Sequence, residues 1–281
     1  MLKMKSIVAA GVIATLPVLA LAGELQDNVD ALTQITSSEV TAAGLVPIVM
    51  IDHARLAAEV GVEMPPSIVQ VFSSGETNTR VLFENIRAGL DLPYRVLTYV
   101  QGTEARQVYT NSAFLAQRHG LMDEATLAQY DADMSAITKG MAAAPTEGLT
   151  KNYGIIELQS PYDVEQSAAN LKAIVTKQAD TVWFGEVDFQ AEAAAAGVDL
   201  SPAVLLLFGG PAPGGVAMRD FPAIGLDAFC QKLLVYQDDT GQTRVIFNDI
   251  AAMARLHYGR SAEPHDLLNQ RLTETFKTAL K

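Results

Sequence analysis

A histidine stands beside an aspartate in the segment IDHA, residues 51–54. The apolar residues before this segment predict a strand, and the alanine-rich residues after it predict a short helix that Asp52 caps. His53 would then lie at a strand–helix junction, where its imidazole could serve as a general acid, a general base or a metal ligand. The alternative is a surface or half-buried histidine in the first turn of a helix.

A second candidate is the glycine-rich segment FGGPAPGG, residues 208–215, which follows an apolar run. A phosphate-binding loop of the P-loop type needs a lysine and a serine or threonine after its last glycine, but Val216, Ala217 and Met218 stand there instead. The dinucleotide-binding spacing G-x-G-x-x-G is also missing. We therefore predict a tight turn between a strand and a helix. The alternative is an anion site on backbone N–H groups, if a helix begins near Val216.

The other histidines and the single cysteine favour structural roles. His119 and His257 lie near predicted helix ends, where a histidine can bond the last free carbonyl groups. His265 is typical of a helix start, and Cys230 of a small apolar filler. One cysteine excludes a Cys-based zinc site, and no two histidines have the helical spacing of metal ligands. We expect no metal and no cofactor, and we assign no catalytic residue.

The chain is a tandem duplication. Segment 51–72 aligns with segment 187–208 at one offset of 136 residues, and the match continues beyond a two-residue length change in a later loop. The alignment pairs, in chain order, Asp52 with Asp188, Gly61 with Gly197, Phe72 with Phe208 and His119 with His257. Internal repeats of this kind predict two structural units of the same fold.

Each copy is predicted to contain a strand, a short helix, a buried strand, a two-stranded hairpin and a closing helix. Copy two also begins with a strand at 153–160 and a helix. The equivalent strand of copy one would fall at 18–23, so its sheet lacks one member, although a helix at about 27–43 remains. Because a bare sheet edge invites aggregation, we expect the neighbouring copy or a trailing segment to cover it. This favours two tightly packed halves, an intramolecular pseudo-dimer.

The first 22 residues are typical of a secretory signal peptide: two early lysines, an uncharged apolar stretch and the small-residue pattern ALA. A retained membrane anchor is the alternative. We predict unit one at 23–150 and unit two at 151–281, in a periplasmic or secreted protein with no stable membrane insertion after cleavage. The net charge of −12, without any basic block, argues against nucleic acid as a partner.

These segments resemble the DUF302 family, whose fold is also called TT1751-like. The family pattern contains V-D-H-A, L-P-P, F-G-N-P and L-D-L-P in that order, followed by a hairpin, and the resemblance runs once through each copy. It implies an α+β fold made of two tandem TT1751-like units, each a mainly antiparallel sheet with packed helices. It implies no established reaction or cofactor.

The two copies divide the family motifs between them. Copy one has IDHA and LDLP, but it reads FSSGETNT where the family has F-G-N-P. Copy two keeps FGGPAPGG, but Phe189 replaces the histidine and Ala228-Phe229 replaces Leu-Pro. We therefore expect one composite ligand site at the cleft between the units, or one site and a relic of a second. The composite site would be built from Asp52, His53, Asp91, Pro93, Gly209, Gly210, Gly214 and Gly215.

The function expected from these observations is a non-catalytic binding module for a small molecule or a protein partner. One alternative is an enzyme in which His53 is the general acid or base and Asp91 or Asp227 assists it. A second alternative is a structural or assembly protein without a ligand.

Overall fold

The computed structural model describes residues 16–281, with side chains described from residue 23 onward. Residues 1–15 of the predicted signal peptide lie outside the described residues. A continuous helix runs from Leu16 to Ala42, through the predicted cleavage point after Ala22. It begins earlier than the helix predicted at about 27–43. Within residues 16–281, no helix is both long enough and apolar enough to cross a membrane.

Across the described residues, ten strands form two five-stranded sheets, one in each copy. The strands of copy one are β1 (Val46–Asp52), β2 (Ser67–Ser73), β3 (Tyr94–Gln101), β4 (Glu104–Tyr109) and β5 (Ala142–Ala143). Those of copy two are β6 (Ile155–Ser160), β7 (Val182–Asp188), β8 (Ala203–Gly209), β9 (Gln231–Gln237) and β10 (Thr243–Asn248).

Helices surround both sheets. In copy one they are α1 (Leu16–Ala42), α2 (His53–Glu59), α3 (Gly75–Glu84), α4 (Ser112–His119) and α5 (Glu124–Met134), with a 3₁₀ turn at Ile86–Leu90. In copy two they are α6 (Val164–Thr176), α7 (Phe189–Ala195), α8 (Pro211–Met218), α9 (Ile250–Tyr258) and α10 (Glu263–Ala279), with a 3₁₀ turn at Pro222–Gly225. The α+β class and the two tandem units are as the sequence predicted.

The two sheets have matching strand orders. They run β1-β2-β3-β4-β5 and β7-β8-β9-β10-β6, and every pairing is antiparallel except that of β4 with β5. The predicted helix caps are also present, because Asp52 accepts a hydrogen bond from the Arg55 amide and Asp188 accepts one from the Ala191 amide, both at 2.9 Å. Each cap satisfies a helical N–H that has no intrahelical acceptor.

A trailing segment covers the sheet edge that copy one leaves open. In copy two, β6 lies antiparallel to β10, and copy one has no such strand before β1. The short strand β5 takes that place and pairs in parallel with β4, matching Val108 with Ala142 and Tyr109 with Ala143. The expectation of a covered edge is confirmed, because β5 satisfies backbone groups that would otherwise face solvent.

The inner faces of the two sheets pack on each other. Val69 and Val71 of β2 share one small cavity with Leu205 and Leu207 of β8. The outer face of the first sheet packs against α1, and that of the second packs against α6 and α10. The result is a layered arrangement, helix–sheet–sheet–helix, with the largest apolar cluster shared by the two copies.

Contacts between the copies follow a pseudo-two-fold relation. Helix α2 packs against α8, and its counterpart α7 packs against α3. The 3₁₀ turn of each copy likewise packs on the central strands of the other copy's sheet. Such reciprocal contacts are those of a symmetric dimer, here formed within one chain.

A tight turn joins a strand to a helix in the glycine-rich segment, as predicted, but the turn is Gly210 alone and the helix already begins at Pro211. Gly210 is the N-cap residue, and α8 begins at Pro211, a favoured residue for a first helical position. Gly215 lies inside α8, where an added Cβ would come within 2.7 Å of the Ala57 Cβ on α2. Close packing of α2 on α8 therefore requires glycine at this position. Pro211 and Pro213 also remove two of the first amide donors, which argues against an anion site there.

Candidate functional site

A narrow groove lies between α2 and α8, at the junction of the two copies. Its cavity volume is about 30 Å³, enough for about two water molecules. Copy one contributes Ile51, His53 and Leu56, and copy two contributes Phe184, Gly209, Gly210, Pro211, Gly214, Gly215, Met218, Phe229 and Cys230. The groove thus joins the histidine of copy one to the glycine-rich segment of copy two.

His53 is the first residue of α2 and carries the polar side-chain chemistry of the groove. Its Nδ1 atom lies 3.4 Å from the Ser67 hydroxyl oxygen, and its Nε2 atom has no hydrogen-bond partner among residues 16–281. Burial lowers the pKa of His53 to about 4, against the opposing influence of the backbone carbonyls of Ser67 and Phe229. The ring is therefore neutral near pH 7, and one of its two nitrogens has no hydrogen bond within the described residues.

The glycines of the segment 209–215 set the width of the groove. An added Cβ at Gly209 would come within 2.9 Å of the Phe184 ring. One at Gly214 would lie 3.4 Å from the Phe229 ring. Larger residues at these positions would fill the groove or push its aromatic walls apart.

Asp52 does not line the groove. Its carboxylate caps α2 and forms an ion pair with Arg55 at 2.6 Å, and Arg55 in turn binds Asp30 on α1. Both carboxylate oxygens of Asp52 are therefore used in local contacts with Arg55. Asp52 supports the site only by fixing the start of the helix that carries His53.

Asp91 lies outside the groove, in a separate buried polar cluster. It accepts hydrogen bonds from Arg118 at 2.9 and 2.8 Å and from Arg95 at 3.2 Å, and it lies 2.7 Å from His119 Nε2. Burial acts to raise the pKa of Asp91, but Arg118 and His119 outweigh it and hold that pKa well below its ordinary value.

Pro93 is also buried away from the groove, whereas its counterpart in copy two, Phe229, lines the groove. Of the eight predicted ligand residues, the structure therefore brings together His53, Gly209, Gly210, Gly214 and Gly215. It places Asp52, Asp91 and Pro93 elsewhere.

The helix-end histidines have side-chain partners that the sequence reasoning missed. His257 Nε2 lies 2.7 Å from Asp227, which repeats the pairing of His119 with Asp91 in the other copy. The expectation that these rings bond helix-end carbonyl groups is wrong, because buried carboxylates lie within their reach. The signal was present in the sequence, since both the aspartate and the histidine recur at matching positions of the two copies.

The pseudo-two-fold relates the groove to a second position, between α3 and α7, which side chains fill. Phe189 stands where copy one has His53. Each ring lies beside a glycine of the other copy, Phe189 beside Gly89 and His53 beside Gly225. Glu192, the counterpart of Leu56, reaches across to copy one and accepts hydrogen bonds from Ser73 at 3.1 Å and from Asn78 at 3.0 Å.

The groove also borders a thiol. Cys230 is buried, and burial raises the pKa of its thiol to about 12, so the group is neutral and unreactive near pH 7. Over the part of the chain that the structure describes, no three His, Cys, Asp or Glu side chains are grouped to hold a metal ion. The chemistry available in the groove is therefore apolar contact and one imidazole hydrogen bond.

Comparison with known proteins places the chain among its relatives. It is 33% identical over 104 residues to the fluoride-specific ion channel FluC 1 of Brucella suis biovar 1 (strain 1330), covering 37% of this chain and 40% of that protein. It is equally similar to FluC 2 of Brucella melitensis biotype 1, covering 38% of that protein. The chain thus spans well under half of the length of these curated relatives.

The chain is also similar to a solved structure, and two of its regions match a protein family. The crystal structure of an uncharacterized conserved DUF302 protein from Bacillus stearothermophilus is 17% identical, with a TM-score of 0.40, and the match covers 46% of this chain and 98% of that one. The family described as "Domain of unknown function DUF302" matches residues 22–139 and 156–279. Because these two matched regions together span most of the sequence, the chain belongs to the DUF302 family.

Proposed function

We propose that this protein binds a small ligand in the groove between α2 and α8, without catalysing a reaction on it. The observation that carries the proposal is the position of His53. His53 is a neutral imidazole whose buried Nε2 has no partner among residues 16–281, and it lines a groove whose other side chains are almost all apolar. An unpartnered buried polar atom is costly unless a ligand or water bonds it.

The lining restricts the chemistry of the ligand. A cavity of about 30 Å³ encloses only a few atoms, and aromatic or aliphatic residues such as Leu56, Phe184 and Phe229 surround them. The enclosed part of the ligand is therefore small and largely apolar, with one polar atom directed at His53. A strongly charged ligand is disfavoured, because the groove contains no ionised side chain to pair with it.

The difference between the two copies supports a binding role. The filled position has Phe189 and the hydrogen-bonded Glu192, whereas the groove has His53 and Leu56 at the equivalent places. A purely structural duplication gains most from filling both positions in the same way. Because only one of the two positions is filled, we infer that the open one has kept a ligand site.

The enzyme alternative lacks a second ionisable group beside His53. Asp91 and Asp227 bond His119 and His257, and the Cys230 thiol is neutral. A histidine with a pKa of about 4 is also a weak base near pH 7, whereas efficient general bases have pKa values near the working pH. These contacts favour binding over acid–base catalysis.

We also propose that the protein is exported and acts in the periplasm or outside the cell. The support is the sequence of the first 22 residues, with early lysines, an apolar stretch and a small-residue cleavage pattern. The test is the mass of the mature protein recovered from its native host. A mass that begins at Gly23 supports the proposal, and a retained amino terminus contradicts it.

Ligand binding is tested with a pair of exchanged residues. His53→Phe places in the groove the side chain that seals the equivalent position, and Phe189→His is the matched control that leaves the groove unchanged. We expect a ligand from the native exported fraction, or from a metabolite screen, to raise the melting temperature of the wild type and of Phe189→His but not of His53→Phe. Equal shifts in His53→Phe and wild type would refute the proposed site.

A further inference from the structure

A group of charged side chains is buried between the two sheets, beside the groove. It contains three cationic side chains, Arg95, Arg118 and Lys232, and two carboxylates, Asp91 and Asp227, each at most 4% exposed. With both carboxylates ionised and the lysine protonated, the group carries one excess positive charge. A buried ammonium without a negative partner is strongly unfavourable and tends to lose its proton, so the group keeps this excess charge only with an anion beside it.

The excess charge is concentrated on two side chains that face each other from opposite sheets. Lys232 Nζ lies 3.6 Å from Asp91, beyond hydrogen-bonding distance, and has no hydrogen-bond partner among the described residues. Arg95 uses its NH2 group to bond Asp91, while its Nε and NH1 groups likewise find no acceptor within residues 16–281. Three donor groups of two buried cations are thus available.

These donors border a cavity of about 10 Å³, the space of about one water molecule. Its remaining walls are aliphatic or aromatic, apart from the Cys230 thiol, and they include Val69 and Leu205 of the two inner sheet faces. The charged groups that line the cavity are therefore donors only. Asp91 and Asp227 bond His119 and His257 through their Oδ2 atoms. Asp227 Oδ1 lies 3.7 Å from Arg95 and has no hydrogen-bond partner among the described residues.

We propose that this cavity binds a single small halide ion, chloride or fluoride, between Arg95 and Lys232. A halide accepts hydrogen bonds from every side and donates none, which matches a cavity whose charged walls only donate. Its charge balances the excess positive charge, which a water molecule does not. The size of the cavity favours a monatomic ion over phosphate, sulfate or a carboxylate.

Diffraction on the unaltered protein is the direct test. Crystals grown in chloride are measured at a long wavelength, where chloride scatters anomalously and water does not. We expect an anomalous peak within hydrogen-bonding distance of Arg95 and Lys232. An ordinary water peak at that place in chloride crystals, together with the absence of any fluoride effect in the next experiment, overturns the proposal.

Melting temperature provides the second readout. The protein is transferred to sodium gluconate, and chloride or fluoride replaces gluconate at constant ionic strength. A halide that binds only the folded state raises the melting temperature progressively with its concentration. We expect this rise in the wild type and in Lys172→Met, which removes an exposed lysine, but not in Lys232→Met.

The outcomes separate the alternatives. A halide-dependent rise that persists unchanged in Lys232→Met overturns the proposal, because the ion then acts elsewhere. A rise with fluoride alone, lost in Lys232→Met, supports the proposal for the smaller ion. If Lys232→Met does not fold, the anomalous peak in the wild type decides. In His53→Phe we expect the halide-dependent rise in melting temperature to persist, which separates halide binding from ligand binding in the groove.

Discussion

Acidification from pH 7 to pH 4 is expected to weaken the fold through His53. Burial lowers the pKa of this imidazole from 6.5 to about 4, so the folded protein binds the proton more weakly than the unfolded chain does. Protonation therefore favours unfolding. The contribution of the neutral ring to stability is complete above pH 6.5 and is lost progressively as the pH falls toward 4.

The size of the effect follows from the pKa change. One pKa unit corresponds to about 1.4 kcal/mol, so the lowering from 6.5 to about 4 corresponds to roughly 3 kcal/mol. His53 retains part of its surface exposed, and solvent reduces the penalty for charging the ring. We therefore expect about 2 kcal/mol. His119, whose pKa is also lowered by burial, adds a loss of stability of the same sign.

The assay compares variants so that the contribution of His53 is isolated. The free energy of unfolding is measured by urea denaturation between pH 7 and pH 4 for wild type, His53→Phe and Phe189→His. We expect the loss of stability over this range to be about 2 kcal/mol smaller in His53→Phe and larger in Phe189→His, which buries a new imidazole. Equal losses in wild type and His53→Phe, or an NMR titration of His53 with a midpoint near 6.5, would refute the reasoning.

Further predictions concern the buried ion pairs, the packing of α2 on α8 and the covered sheet edge. Asp91→Ala should lower the free energy of unfolding in urea by about 3–5 kcal/mol, because it leaves the buried Arg118 without its carboxylate. Asp227→Ala should cost less, since its nearest arginine atom is 3.7 Å away; equal losses would contradict this ranking. Gly215→Ala should destabilise the fold by about 1–2 kcal/mol in the same assay, because its Cβ would overlap α2 and the overlap outweighs the gain in helix propensity. Ala144→Pro should cost about 1–3 kcal/mol and increase light scattering on storage, because it removes the 2.8 Å hydrogen bond from Ala144 to the Tyr109 carbonyl beside β5; unchanged stability would show that the edge needs no cover.

Much of the fold could be predicted because it depends on local patterns. The aspartates at 52 and 188 precede helices in both copies, and both cap them. The missing first strand of copy one was visible from the repeat alone, and so was the need to cover that edge. The parallel direction of β5 was not, because a two-residue strand has no pattern of its own.

The candidate site was predicted in part. His53 and the glycine-rich segment meet in one groove, as the division of motifs between the copies suggested. The composition of this segment predicts a longer turn, because glycine and proline usually interrupt helices. In α8, however, the prolines occupy the first turn, and Gly215 makes room for Ala57 on the other copy. The family motif predicts Asp91 in the site, whereas its partners Arg118 and His119 lie in the separate buried polar cluster.

The sequence by itself determined the duplication, the class of each element, and the residues in which the two copies differ. These properties depend on composition and spacing along the chain. Only the tertiary structure decided which polar groups meet: the carboxylates Asp91 and Asp227 lie with His119 and His257, while His53 lies with a groove formed mainly by the other copy. The reason is physical, because ion pairs and pKa shifts depend on separations of a few ångströms and on burial, which the packing of one sheet against the other creates.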